Sequence, residues 1–242
     1  MKTFNHILRL GFSTVLVTVL GSYLYSAAAD GEEFADISKV NGGIEVEAGR
    51  QVGDVSTVNG GIALGDGAIA DSVDTVNGSI NLGDKVQTRH VETVNGGIRV
   101  GTDAQIQGGL DSVNGAIRVK AGTIVDDYVH TVNGDIELDT VEVGGKLLTV
   151  NGDINLVSTT IGGDLQTSSG NITLTDNTTV SGDIIIKGRR SWFERVLHIN
   201  WHGTPTLTID ANSVVHGDIQ LHRQAELDIH EDAEVGEVVE HY

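Results

Sequence analysis

Apolar residues along this chain come in short clusters, never in long runs after the first thirty positions. Val-Asn-Gly-x-Ile stands at Val40–Ile44, Val58–Ile62, Val76–Ile80, Val94–Ile98, Val113–Ile117, Val132–Ile136 and Val150–Ile154, at steps of 18, 18, 18, 19, 19 and 18 residues. Two residues past each Ile comes a second aliphatic side chain: Val46, Leu64, Leu82, Val100, Val119, Leu138 and Leu156. The spacing predicts a short strand with the motif Val, the Ile and this residue on one side. A mid-unit apolar position follows, at Val52, Ile69, Val86, Ile106, Ile124, Val143 and Ile161. Another precedes the next copy, at Val55, Val73, Val91, Leu110, Val129, Leu147 and Leu165. Gly, Asp, Asn and Thr fill the gaps, and these are turn residues.

Eighteen residues is too short for the usual helical repeats and fits one turn of a β-solenoid with three sides of about six residues each. The predicted fold is all-β: a single-stranded parallel β-solenoid of either hand, three-sided, with about 18 residues per coil. Successive coils pair about 4.8 Å apart, so like side chains stack on like, and about ten coils make a rod roughly 48 Å long. One coil cannot bury its apolar side, whereas the stack can. Degenerate copies extend the series at Ser168–Ile172, Val180–Ile184 and Val215–Ile219. A hairpin meander competes for the Asn-Gly signal, but three apolar stretches per unit argue against it.

The Asn-Gly pair has a physical role in such a coil. Gly supplies positive φ without steric cost. Asn41, Asn59, Asn77, Asn95, Asn114, Asn133 and Asn151 are expected to form a corner ladder in which each amide bonds the next. The column is structural on this reading, because it never varies, as a register-setting element requires.

The repeated Thr-Val-Asn-Gly-x-Ile of Thr57–Ile62, Thr75–Ile80, Thr93–Ile98, Thr131–Ile136 and Thr149–Ile154 resembles the adhesin-type family of bacterial β-strand-repeat domains, over about residues 36–186. That resemblance implies the solenoid architecture and an envelope setting, and it transfers no catalytic or binding residue. Residues 205–239 keep a six-residue beat at Ile209, Val215, Leu221, Leu227, Ala233 and Val239. This part is similar to bactofilin-like and hexapeptide-repeat solenoids, without the small-residue position of hexapeptide acyltransferases.

Residues 1–29 read as a signal peptide. Lys2 and Arg9 precede an interrupted apolar stretch, Leu10–Leu24, and Ala27, Ala28 and Ala29 offer a cleavage site before Asp30. The expected organisation is a signal peptide at 1–29, a solenoid of 18–19-residue coils at 30–186, an insertion at 187–204, and terminal coils with an acidic cap at 205–242. The membrane is then met only through the signal segment, and the mature chain is periplasmic, extracellular or on the cell surface. The whole chain carries 15 basic and 34 acidic residues, a net charge of −19. That balance argues against a nucleic-acid partner. There is no cysteine, so disulfides and thiolate chemistry are excluded.

The insertion changes the local sign of charge. Lys187, Arg189, Arg190 and Arg195 stand close to Trp192, Phe193 and Trp201, and both tryptophans of the chain lie here. Arg189, Arg190, Trp192, Phe193, Arg195 and Trp201 are candidates for partner binding, the competing reading being a loop that covers a flank of the rod. Six histidines crowd the end of the chain, and His216 and His222 would share a side in the six-residue frame. Solvent-facing side chains are the favoured reading, because no fixed carboxylate partner is evident. Asp66, Asp84, Asp103, Asp126 and Asp127 fall in turns without the nonapeptide pattern of calcium-binding β-rolls. No metal site and no cofactor is assigned.

Short turns build no cleft, and no nucleophile elbow or phosphate loop is present. The chain is read as a non-catalytic structural or adhesin-like interaction module of the bacterial envelope, with an unknown envelope protein or glycan as partner. The alternative is a polymer-forming, bactofilin-like scaffold. Acidic residues near both ends, among them Glu32, Glu33, Asp36, Glu231, Asp232, Glu234, Glu237 and Glu240, oppose end-to-end stacking and favour a monomer.

Overall fold

The computed structural model describes residues 34–188 and 203–242. Among them the strands are short, parallel and stacked in register, and they form three sheets wound as one β-solenoid of about eleven turns. The first sheet holds eleven strands, from Ile37–Asn41 through Val55–Asn59 to Val238–Glu240. The second holds ten, from Ile44–Val46 to Glu226–Ile229, and the third holds eight, from Gln87–Thr88 to Glu234–Val235. Each coil visits the three sheets in that order. Thr206–Ile209 pairs directly with Ile172–Thr175, so residues 205–242 continue the same rod beyond the insertion.

The core is aliphatic and columnar. Val55, Val73, Val91, Leu110, Val129, Leu147, Leu165, Ile184 and Ile219 lie one above another and are buried. The motif Ile and the aliphatic residue two places on form two more buried columns in the second sheet. Stacking β-branched side chains on a pleated parallel sheet suits their restricted rotamers, and burial along the stack provides the main stabilisation.

Three details differ from the sequence pattern. The Val of Val-Asn-Gly points outward, exposed at Val40 and half-buried in the later copies, while the residue before it points inward. Thr57, Thr75, Thr93, Ser112, Thr131 and Thr149 occupy that inward column. Each donates its hydroxyl to a glycine carbonyl of the preceding coil: Thr75 to Gly60 at 2.8 Å, Thr93 to Gly78 at 2.9 Å, Ser112 to Gly96 at 3.0 Å. The corner leaves a buried carbonyl without a ladder partner, and a small hydroxyl satisfies it where Val would not. On the third side, the inward column is Val52, Ala70, Thr88, Ile106, Val125, Val143, Ile161, Val180 and Val215, with Ala68, Val86, Ala104 and Val141 in the neighbouring one. Ile69 and Ile124 face outward, Ile124 with 38% exposure. Finally, Val180–Ile184 and Val215–Ile219 turn a different corner, between the third and first sheets, so they are not copies of the Asn-Gly corner.

The corner glycines work by close approach. Among those of the Asn-Gly corner, only Gly42, Gly152 and Gly170 have φ in the left-handed range. At Gly60, Gly78, Gly96, Gly115 and Gly134 a Cβ would collide with the carbonyl of the glycine one coil earlier. Left-handed backbone gathers instead at the next corner, at Gly49, Gly67, Lys85, Asp103, Gly122, Thr140 and Ser158.

Charge closes the inward threonine column at both ends. Lys39 pairs in register with Thr57, and its Nζ donates to the Gly43 carbonyl at 2.8 Å. Glu240 pairs with Leu221 at the other end. An inward-pointing charge on an edge strand opposes addition of another apolar coil there.

Candidate functional site

The asparagines of the motif form a continuous chain at the first corner. Asn59 donates to Asn41 at 3.1 Å, Asn77 to Asn59 at 2.9 Å, Asn95 to Asn77 at 2.9 Å, Asn114 to Asn95 at 3.0 Å, Asn133 to Asn114 at 2.9 Å and Asn151 to Asn133 at 2.7 Å. Each amide nitrogen is spent on the oxygen one coil earlier, so the ladder locks register. Turn aspartates are spent similarly. Asp66 accepts the Asp84 amide at 2.9 Å, Asp84 the Thr102 amide at 2.7 Å, and Asp183 the Asp218 amide at 2.9 Å. Hydrogen bonding from the Thr102 backbone amide, and then from its side chain, holds the Asp84 carboxyl below the usual carboxylate range. Among the described residues, no group of three or more His, Asp or Glu side chains is arranged to hold a metal ion.

The outer face of the first sheet carries a denser arrangement. In each strand the residue between the buried aliphatic and the inward Thr points outward, and parallel register stacks Ser56, Asp74, Glu92, Asp111 and His130 in one column. Beside it runs a second column with Asp54, Ser72 and His90. Three carboxylates one above another repel, and the neighbours answer that repulsion. His130 Nδ1 meets Asp111 Oδ1 at 2.6 Å, and the Tyr128 hydroxyl donates to Asp111 Oδ2 at 2.9 Å. His90 Nε2 stands 3.8 Å from Glu92 Oε2. The Ser72 hydroxyl touches Asp54 Oδ1 at 2.7 Å and Asp74 Oδ2 at 3.0 Å.

Ser72 has a single proton for two carboxylates. If it donates to Asp54, the Asp74 contact needs a proton on Asp74. Burial, with Glu92 and Asp54 nearby, pushes the Asp74 carboxyl up to about 6 against the pull of Ser72 and His90. Hydrogen bonding to Glu92 and the surrounding carboxylates raise His90 despite its burial. Burial and Asp111 push the Tyr128 hydroxyl up, so it stays a donor. Tyr128 reaches this place because position 109 is glycine: a Cβ there would meet the ring at 2.6 Å. The ring then stands edge-on to His90, with centroids 6.4 Å apart. Together these groups form a network of hydrogen bonds and ion pairs on the outer face of the sheet. The Ser72 hydroxyl is held between these two carboxylates.

This network was not evident in the repeat, because its members sit at the variable positions between conserved-looking ones. The signal available was Asp74, Glu92, Asp111 and His130 at steps of 18, 19 and 19. Histidines of the last coils are arranged otherwise than the six-residue frame suggests. His216 follows the third-sheet strand Val214–Val215, while His222 follows the first-sheet strand Ile219–Leu221 and stacks on His241 at 4.6 Å. Val238, and not Val239, takes the inward place in the last strand. Arg189, Arg190, Trp192, Phe193, Arg195 and Trp201, like residues 1–29, lie outside the described residues. No family model, no curated protein and no solved structure matches this chain.

Proposed function

We propose that this chain is an exported, non-catalytic β-solenoid rod that serves as a structural or adhesin-like interaction module of the bacterial envelope. The observation that carries this reading is the in-register stack. Corner polar groups are consumed by ladders from coil to coil, so what the fold offers to its surroundings is three long sheet faces. Flat sheets with short corners suit contact with an extended surface better than enclosure of a small substrate. The signal-like segment at 1–29 supports export, and the basic, aromatic insertion at 187–204 supports a second contact point on an otherwise acidic rod. The partner on this reading is an envelope protein or a glycan.

The alternative is a polymer-forming, bactofilin-like scaffold. Two measurements test the proposal. The exported protein should begin at Asp30 by N-terminal mass analysis, and retention of Met1 in the cytoplasm would overturn export. Sedimentation across concentration should show one monomeric species, with filaments supporting the scaffold instead. Capture of a defined envelope component by the intact chain, lost on deletion of 187–204, would place the contact in the insertion.

A further inference from the structure

Just after the Asn-Gly corner, where the chain enters the second sheet, the later coils carry a ladder of their own. Asp135 Oδ1 accepts the Asp153 amide at 2.9 Å, Asp153 Oδ1 the Asn171 amide at 2.7 Å, and Asn171 Oδ1 the Thr206 amide at 3.0 Å. Each acceptor leaves the chain on the outer face and bonds the backbone N–H one coil later. The earlier coils hold Gly43, Gly61, Ser79, Gly97 and Ala116 at this position, so none of them supplies a carboxylate. Among the described residues, the amides of Gly61, Ser79, Gly97, Ala116 and Asp135 meet no acceptor. They repeat at the coil spacing of about 4.8 Å. Backbone N–H groups gathered at one surface attract anions.

The charge beside these amides has the matching sign. Segments 61–65, 79–83, 97–101 and 116–120 contain no Asp or Glu, in a chain with 34 acidic residues, and they carry Arg99, Arg118 and Lys120. Arg99 and Arg118 stand in direct register, each two residues along the same face from Gly97 and Ala116. Arg118 is spent on Glu137, through bonds of 2.8 and 3.0 Å. Arg99 is exposed between Asn81 and Arg118 and has no acidic partner among the described residues. Like charges in direct register repel, and an anion between them relieves that cost. A shallow hollow lined by Gly43, Gly61, Ala63 and Asn81 opens beside the first of the amides.

We propose that this strip of the second sheet, from Gly61 to Lys120, binds an oligouronate, a saccharide with a carboxylate on each successive ring. The inference rests on the interaction-module reading and gives its glycan partner a place and a chemistry. One carboxylate takes a forked bond from Arg99. Its neighbours accept the open amides of adjacent coils, as Asp135 and Asp153 do within the rod. An acidic peptide fits less well. Same-side residues of an extended strand lie about 6.6–6.8 Å apart, out of step with the coils. A sugar ring is close to one coil spacing in length, so its carboxylates keep step with the amides.

The test titrates the intact chain with tetragalacturonate, its neutral methyl ester and a tetraglutamate peptide. Tetragalacturonate should bind and slow amide hydrogen exchange at Gly97 and Ala116, and the methyl ester should not. Arg99→Gln should weaken binding about fivefold or more. Ser79→Asp with Ala116→Asp offers the Gly97 and Asp135 amides a carboxylate from within, at positions that already carry a Cβ. That variant should lose tetragalacturonate binding while keeping its melting temperature. Gln87→Glu with Gln105→Glu, an equal charge change on the outer face of the third sheet, should leave affinity within about twofold. Equal losses in the two double variants, or exchange protection spread along the rod, would overturn the proposal in favour of bulk charge. Equal or tighter binding of tetraglutamate would overturn it in favour of an acidic peptide, and equal binding of the methyl ester would remove the carboxylate from the account. Absence of tetragalacturonate binding would overturn it too. If envelope capture persists in that case, the interaction-module reading stands and only this site falls.

Discussion

The coils from Val55 to Asn151 and those after Thr206 share one stacking geometry and differ in what locks it. In the first group, every turn carries an inward Thr or Ser bonded to a corner carbonyl and an Asn bonded to the Asn below. In the second, Leu221 and Glu240 take the threonine place, as Ile186 does just before the insertion, and the asparagine column has ended. The transition is visible at the boundary. Thr167 and Ser169, at the degenerate copy of the motif, have buried hydroxyls with no hydrogen-bond partner. The strict motif is therefore a polar lock on one corner, while in the last turns the aliphatic columns are joined by an aspartate-to-amide ladder at another corner.

The largest effect separates inward from outward positions within one motif. Val91 is fully buried, while Val94, three residues on, faces out and is half-buried. Val91→Asp places an unpaired carboxylate in an aliphatic column and should cost at least about 4 kcal/mol, enough to abolish the cooperative melt followed by circular dichroism. Val94→Asp should cost no more than about 1 kcal/mol. Equal losses at the two sites would contradict the side assignment.

That pair also marks what was legible in the sequence. The period, the three sides and the stacking of Val-Asn-Gly-x-Ile follow from spacing alone, because only a coil of that length brings identical residues into register. The direction of the motif Val does not. Val, x, Ile reads as alternation, but Asn-Gly turns a corner between them, and crossing a corner resets which parity faces inward. The same reset hid Ile69 and Ile124. The proton-sharing face was illegible for another reason: Asp74, His90, Asp111 and His130 are unlike one another, and only register makes them neighbours.

A smaller effect tests the corner. A Cβ at Gly78 would run into the Gly60 carbonyl, with backbone on both sides. Gly78→Ala should cost about 1–3 kcal/mol through displacement of the stacked turns. Gly67→Ala faces open space but has φ of 66°, so its cost is conformational and should be about 1 kcal/mol. Thermal melts of the two variants should rank in that order. Asn95→Ala is comparable to Gly67→Ala. It removes two exposed bonds of the ladder, to Asn77 and from Asn114, and should cost about 1 kcal/mol. Gln220→Ala, in the coils that lack the ladder, removes only a bond to Asp183 and should cost less than Asn95→Ala. The opposite ranking would show that the asparagine column contributes nothing particular to the locked coils.

A further effect distinguishes the two regions by pH. Asp74 is faced by Asp54 and Ser72 from one column, by Glu92 above it and by His90 diagonally, and its carboxyl is raised from 3.8 to about 6. His90 is raised as well. A group raised in the folded state contributes stability that is complete below its unfolded value and lost as pH rises through the folded one. The locked coils should therefore be more stable near pH 4 than near pH 7, by on the order of 1–2 kcal/mol from Asp74 after allowance for solvent screening. This opposes the ordinary behaviour of folded carboxylates, which the lowered Asp84 and Asp210 follow. Asp74→Asn keeps the contact with Ser72 and removes the titration. It should flatten the melting temperature between pH 4 and 7 and raise it at pH 7. Gly109→Ala, which displaces Tyr128 from Asp111, should leave the Asp74 titration in place. An unchanged slope in Asp74→Asn would mean that the raised proton affinity belongs to other groups of the face, and the Ser72 proton count would then be wrong.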